Sequence, residues 1–270
     1  MTAEPIPALE VLMDAAWPAP DRHDTGEWVL RAAEGVTQRA NSVWPRESAA
    51  DPAAAAREAV AWYRKRRLPV IYQVFDNASA APLNALLDSL GFTRQSETLA
   101  MSMGPAGPAA PEGGLPVGPL QVGPLPAAAA VELAEHPSAE WLALWWSVDG
   151  RGGAAALETA QAILTGCPSL YALVRDDGGR PAAVGRLALA GGYGGLYCMA
   201  TRPDARRRGH ATRVLRSLLA AGAARKLDGY WLLVTAANPG ARELYARSGF
   251  REAGRYFYRQ ERPRRHLTGC

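Results

Sequence analysis

The sequence predicts an α/β protein built from two similar domains, and three observations carry that expectation. A strand, a basic turn and a helix follow one another in the C-terminal half. A proline- and glycine-rich run separates the halves. The order of elements downstream of the turn recurs in the N-terminal half.

Leu196 to Ala200 read as an apolar strand, and Ala211, Val214, Leu215, Leu218, Leu219 and Gly222 recur at helical spacing. Between them lies the turn Thr201-Arg-Pro-Asp-Ala-Arg206-Arg-Arg-Gly209-His-Ala211. Such a junction makes a pocket for an anion, because unpaired N–H groups and the positive end of the helix dipole point outward together. Gly209 lets the backbone approach a phosphate with no Cβ in the way. Downstream, Tyr230 to Thr235 form a second β-prone run, followed by a short helix bracketed at both ends. Asn238 suits its N-cap, Pro239 its first turn and Gly249 a left-handed C-terminal cap. A Tyr-rich segment then runs to about Tyr258.

Residues 104 to 126 contain seven Pro and six Gly with almost no charge, so neither a helix nor a central strand forms there. The boundary is placed in this run, with a first domain over 1–103, an extended linker over 104–116 and a second domain over 117–262, its first strand near Val117. Residues 263–270 read as a flexible tail.

The repeat supports two domains of one kind. Pro69 to Phe75 is β-prone, Asn77 follows, Pro82 to Leu90 suit a helix, and Gly91-Phe92 leads into a strand through Met101. Upstream, Asp51 to Arg66 suit a helix matching Gly209 to Lys226, and Trp28 to Trp44 supply paired strands.

The spacing Arg206-x-x-Gly209-x-Ala211 resembles the pyrophosphate-binding loop of the GNAT acetyltransferases, and the Asn238-led helix with its Gly249-Phe250 exit is similar to that family's second signature. On both, residues from about 117 to 260 are identified as a member of the family. The resemblance implies, for each domain, a mixed, mostly antiparallel central sheet flanked by helices, an α/β fold (α+β in some schemes). It implies acetyl-CoA as acyl donor, held by Met199, Ala200, Thr201, Arg206, Arg207, Arg208, Gly209, His210, Ala211, Thr212, Asn238 and Arg242. It also implies that Tyr245 faces the thioester sulfur as the catalytic acid, and that a backbone N–H around Met199 to Thr201 polarises the carbonyl. The N-terminal half departs from the pattern: Trp44-Pro-Arg-Glu-Ser-Ala-Ala-Asp-Pro52 has no glycine, and Leu86 or Leu87 falls near the position of Tyr245. The whole resembles tandem GNAT proteins with one degenerate and one active copy, as in mycothiol-synthase-like or short N-acetylglutamate-synthase-like proteins.

Composition narrows the function classes. No run reaches transmembrane length and no signal peptide is evident, so a cytoplasmic protein without membrane association is expected. Cys167, Cys198 and Cys270 form neither a disulfide framework nor a metal cluster, so no metal is expected. The net charge is +4, yet the 26 acidic residues are spread among the basic ones, which argues against nucleic acid. A monomer or homodimer is expected.

The expected reaction is N-acetylation of a small-molecule or amino-acid amine by direct transfer. The alternatives are a coenzyme-binding sensor or assembly module without turnover, and an acyltransferase using a longer acyl-CoA. An alkylammonium of pKa about 10.4 must first lose a proton, at a cost of roughly 4 to 5 kcal/mol at neutral pH. The strand from Leu196 to Thr201 carries no acid, which leaves His136, Glu140 and Asp149 as candidate bases. Tyr245, at an ordinary phenol pKa of about 10, would give its proton to a thiolate of about 8.5 uphill by only about 2 kcal/mol, and a hydrogen bond short of full transfer would serve as well. Trp141, Trp145 and Trp146 read as core or as a pocket lining. Cys198 reads as a buried small residue or a nucleophile. Arg31, Arg39 and Asn41 read as a strand's polar face or as ligands of an acceptor carboxylate.

Overall fold

The computed structural model describes residues 8–104 and 131–261. In chain order these form α1 (Leu9–Ala16), β1 (Asp21–Asp24), β2 (Trp28–Ala32), β3 (Val43–Pro45), α2 (Pro52–Lys65), β4 (Ile71–Phe75), α3 (Ala81–Ser89) and β5 (Phe92–Met103). The second half supplies β6 (Val131–Ala134), α4 (Ala139–Asp149), α5 (Ala154–Thr165), β7 (Ser169–Arg175), β8 (Pro181–Ala190) and β9 (Tyr193–Thr201). It continues with α6 (His210–Ala224), β10 (Tyr230–Thr235), α7 (Pro239–Arg247) and β11 (Arg251–Glu261).

Two compact units are present, and they interleave along the chain. Within the described residues the C-terminal unit comprises 8–18, 101–104, 131–234 and 238–253, and the N-terminal unit comprises 19–100, 235–237 and 254–261. A cut at 104–116 separates the halves of the chain, but α1 joins the C-terminal unit and most of β11 joins the N-terminal one. Packing explains the exchange. The buried residues of α1 include Leu12, Met13 and Ala16, Trp17 beyond it stacks on Tyr197 at 5.4 Å, and the Arg186 guanidinium donates to the Ala16 carbonyl at 2.9 Å. β11 pairs antiparallel with β4 from Tyr256 opposite Phe75 to Gln260 opposite Ile71, and its Phe257 enters the core with Trp28, Leu30, Tyr63, Tyr72 and Leu87. The expected linker beyond Gly104, a strand near Val117 and the tail from residue 263 lie outside the described residues.

In the C-terminal unit the strand order is β10-β9-β8-β7-β6, with β9 and β10 parallel and the other pairs antiparallel. The parallel pair needs a crossover, which α6 provides. Its buried face of Val214, Leu215, Leu218 and Gly222 follows from the apolar spacing read in the sequence. Gly222 is required there, since a Cβ would lie 2.7 Å from the Tyr230 ring. Trp141 of α4 is 1% exposed, and its indole N–H donates to the carbonyls of Ala172 and Gly185 at 3.0 and 3.2 Å. Burying a tryptophan removes roughly 150–250 Å² from water, worth about 4–6 kcal/mol, so this residue pins α4 to β7 and β8.

The N-terminal unit repeats the plan in the order β1-β2-β3-β4-β11-β5. Here β3 and β4 are the parallel pair and α2 is the crossover. Both short helices, α3 and α7, end in a left-handed glycine, Gly91 at φ 79° and Gly249 at φ 96°, followed by a buried phenylalanine, Phe92 or Phe250.

Candidate active site

Two irregularities in β9 open the sheet of the C-terminal unit. Val184 pairs with Ala200 and Arg186 with Tyr197, so Gly185 alone faces both Cys198 and Met199, a bulge that puts Cys198 at φ 54°. Gly185 accommodates it by having no side chain, since a Cβ would meet Met199 Sδ at 2.5 Å and Val214 at 2.6 Å. On the other edge, the ladder with β10 runs from Tyr230 opposite Gly194 to Leu232 opposite Leu196 and stops, although both strands continue. The Arg202 N–H bonds to Ala182 O at 2.9 Å. By the alternation of an antiparallel ladder, the Thr201 N–H then faces the open side, where β10 no longer pairs.

Beyond that opening stands the basic loop. Pro203–Ala205 make one 3₁₀ turn, Arg207 adopts φ 64°, and Gly209 at φ 79° caps α6. The first bond of α6 runs from Arg213 N–H to Gly209 O at 3.0 Å, so the N–H groups of His210, Ala211 and Thr212 have no acceptor within the helix. No side chain caps this terminus, and a Cβ at Gly209 would meet nothing within 4 Å. Gly209 is therefore needed for its left-handed backbone, a conformation costing other residues about 1–2 kcal/mol, and for the clear space before it. Arg206, Arg207 and Arg208 are exposed. His210 is buried, its Nε2 has no hydrogen-bond partner, and burial followed by the charges of Arg213 and Arg208 holds its pKa below the usual value.

Asn238 caps α7 as its position predicts, accepting from Ala241 N–H at 3.1 Å, with Pro239 opening the helix. Asn238 and Arg242 are exposed. Tyr245, one turn further on, is 7% exposed and packs edge-on against Phe250 at 6.1 Å. Burial, with the Asp149 carboxylate adding to it, pushes its phenol up to about 12. Full proton transfer to a thiolate near 8.5 would thus be uphill by about 5 kcal/mol rather than 2. Burial, invisible in the sequence, thus favours the protonated phenol.

The three candidate bases sit in different surroundings. Glu140 bridges to Arg175 with an oxygen 2.6 Å from Nη2, and that contact holds its carboxyl below the usual range. His136 is exposed, ahead of α4. Asp149 ends α4, accessible to solvent as a residue while protein atoms crowd its carboxyl; this burial raises it, against a hydrogen bond with the Trp145 side chain and the charges of Arg151 and Arg206. The charge of Arg206 thus acts on Asp149, and that of Asp149 on Tyr245, a grouping that no spacing in the sequence reveals. Trp141 and Trp145 are core, and Trp146 is half-buried. Cys198 serves the bulge. Asn41 is consumed by its own loop, accepting from the N–H groups of Ala33 and Gly35 and donating to the carbonyls of Val36 and Thr37. Arg31 is buried against Ser42 and Gln73. Among the described residues, no helix is long and apolar enough to cross a membrane, and no group of three or more His, Cys, Asp or Glu is arranged to hold a metal ion.

Strands parted beside a glycine-capped basic loop, with a tyrosine in the next helix, define the GNAT class, and solved structures share the fold. A GCN5-related N-acetyltransferase from Kribbella flavida superposes with a TM-score of 0.63 over 93% of both chains at 18% identity. A tandem GNAT protein from the clavulanic acid biosynthesis pathway gives 0.57 over 81% of this chain and 74% of that one at 14% identity. In sequence, the uncharacterized N-acetyltransferase YobR of Bacillus subtilis is 26% identical over 264 residues, 95% of this chain and 99% of that protein. A mycothiol acetyltransferase of Clavibacter michiganensis is 40% identical over 86 residues, 32% of this chain and 28% of that one. The family profile described as "Probable histone acetyltransferase Rv0428c C-terminal" matches residues 2–259, and the chain belongs to that acetyltransferase family.

Proposed function

We propose that the protein transfers an acetyl group from acetyl-CoA to the amine of a small molecule or amino acid, with the C-terminal unit as the catalytic copy. The observation that carries this reading is the loop from Arg206 to Thr212. It presents three uncapped N–H groups, exposed guanidinium groups and an open cradle at Gly209, the donor set a diphosphate requires. Bound there, the coenzyme would supply an activated acetyl thioester. Arg206, Arg207, Arg208 and the amides of His210 to Thr212 would hold the diphosphate, His210 Nε2 offers an unused polar atom beside it, and Met199 to Thr201 would line the acyl end. The Thr201 N–H, on the unpaired side of β9, would polarise the carbonyl. Tyr245 would donate to the departing sulfur. Asn238 and Arg242 open α7 on the same unit.

Calorimetric titration of acetyl-CoA, followed by thiol release with a panel of primary amines, tests the reading. One equivalent bound per chain and turnover with at least one amine are expected. Binding without turnover would favour the sensor alternative, and binding of longer acyl-CoA with faster thiol release would move the donor. No binding would remove the reading altogether.

A further inference from the structure

We propose that Arg202, at the exit of β9, is a positioning residue for the coenzyme: its guanidinium fixes the start of the basic loop to the β7–β8 hairpin, so that the loop's donors are already placed for a diphosphate. The assignment rests on the acetyl-CoA reading above. Each nitrogen of the guanidinium bonds to a different segment. Nε donates to Asp204 Oδ1 at 2.5 Å, in the 3₁₀ turn that opens the loop. Nη1 donates to the Pro181 carbonyl at 2.6 Å, where β8 begins, and Nη2 to Asp176 Oδ2 at 2.6 Å, just past β7. The main chain adds to this: the Arg202 carbonyl accepts from Ala205 N–H at 3.0 Å, while its own N–H is held by Ala182 O. One residue therefore ties together the strand end, the hairpin and the turn that leads into the loop.

The support is firm because the hairpin closes on the same carboxylate. Asp176 Oδ1 accepts from the N–H groups of Gly178 and Arg180 at 3.1 and 3.0 Å, and its backbone bonds to Gly179 N–H and Arg180 O. The side chains of Arg202 and Asp176 are 18% and 16% exposed, against 78% and 60% for the Arg247–Glu243 pair on α7. Water competes strongly for an exposed pair of the second kind, and far less for a guanidinium bonded at three nitrogens in a sheltered place. The contact with Arg202 holds the carboxyls of both Asp176 and Asp204 below the usual range. A guanidinium committed to two carboxylates has little charge left to attract an anion. Its contribution to binding is placement, and attraction falls to the exposed Arg206, Arg207 and Arg208.

Placement matters here because of the loop's backbone. Between Arg202 and the buried His210 that opens α6, both Arg207 and Gly209 are left-handed, at φ 64° and 79°. A non-glycine residue stays in that region only where its surroundings hold it. Donors fixed before the ligand arrives spare binding the cost of ordering them. The planar fork of arginine suits three acceptors in fixed directions, whereas a lysine ammonium is a single point on a flexible stem. The N-terminal unit supports the pairing of anchor and loop. There the proline after β3's Trp44 is Pro45, Trp44 is buried, and no basic, glycine-bearing loop follows. The arginine before the proline and the loop it would hold occur together in one unit, and neither occurs in the other.

The test titrates acetyl-CoA into the full chain by calorimetry, at a temperature where circular dichroism shows each variant folded. Arg202→Ala should raise Kd about tenfold, and Arg202→Lys, which keeps the charge without the fork, should recover only part of that loss. Asp176→Asn is the sharper variant, and it decides alone if Arg202→Ala does not fold. Removing an acid beside an anion site by itself tightens binding, whereas loss of the anchor predicts a Kd about three- to tenfold higher, with little further change on top of Arg202→Ala. An unchanged or lower Kd for Asp176→Asn would overturn the assignment and leave the transferase reading intact. So would a Kd for Arg202→Ala within about twofold of the wild type. Full recovery by Arg202→Lys would also overturn it, since charge alone would then suffice. Wild-type protein that binds no acetyl-CoA would remove both readings.

Discussion

The two units begin the same crossover helix in opposite ways. In the C-terminal unit α6 starts from a left-handed glycine with no side-chain cap, so its dipole and N–H groups face outward beside three exposed arginines. In the N-terminal unit the carboxylate of Asp51 accepts from Ala54 N–H at 2.9 Å, Pro52 removes another donor, and the Glu27 carboxylate accepts from Ala50 N–H at 2.8 Å. Two carboxylates thus occupy the ground that an anion would take. The same fold therefore starts this helix either with open donors or with a self-satisfied end, depending on whether a few residues complete the cap internally. Tyr245 against Leu87, which is fully buried in α3, repeats the contrast at the second helix.

The largest test of that comparison is Gly209→Glu. Its side chain would enter the open cradle with the wrong charge, so acetyl-CoA binding should vanish from calorimetry, whereas the matched change Ser48→Glu, at an exposed position, should leave one equivalent per chain. Equal losses, or two equivalents in the wild type, would break the distinction between the units.

Next in size, Tyr245→Phe keeps the contact with Phe250 and removes only the hydroxyl. A kcat about 10²-fold lower with acetyl-CoA affinity unchanged is expected in steady-state and binding assays, and an unchanged kcat would return Tyr245 to the core. Smaller again, Asp51→Ala removes the cap of α2 and should cost about 1 kcal/mol in urea unfolding, without creating a coenzyme site.

The smallest effect concerns pH. His210 has its folded pKa below the unfolded value, so the unfolded chain binds the proton first and stability is lost as pH falls from about 6.5. Burial, Arg213 and Arg208 set that direction against the opposing charges of Asp176 and Asp177. Unfolding free energies between pH 8 and 5 should therefore fall less in His210→Gln than in the wild type, and parallel curves would show that this histidine is not the source.

Much of this was legible in the chain because it is local. The helical spacing from Ala211, the Asn238-Pro239 start and the glycine exits at Gly91 and Gly249 each express a backbone preference of a few neighbouring residues, and the elements stand within a few positions of where those signals put them. The basic loop was legible for the same reason. The bulge was not, because its cause is divided between Cys198 on one strand and Gly185 on the next. Nor was α1 marked as part of the C-terminal unit, since its partners, Arg186 and Tyr197, are about 170 or more residues away.

By itself the sequence determined that this is a two-domain GNAT-type protein, which half carries the basic, glycine-bearing loop, and which tyrosine follows it, since all three are written in contiguous motifs. Only the tertiary structure decided where β9 and β10 part, that Tyr245 is buried, and that the charge of Asp149 acts on it. Those properties depend on burial and on charges brought together from α4, the basic loop and α7, and a linear pattern records neither.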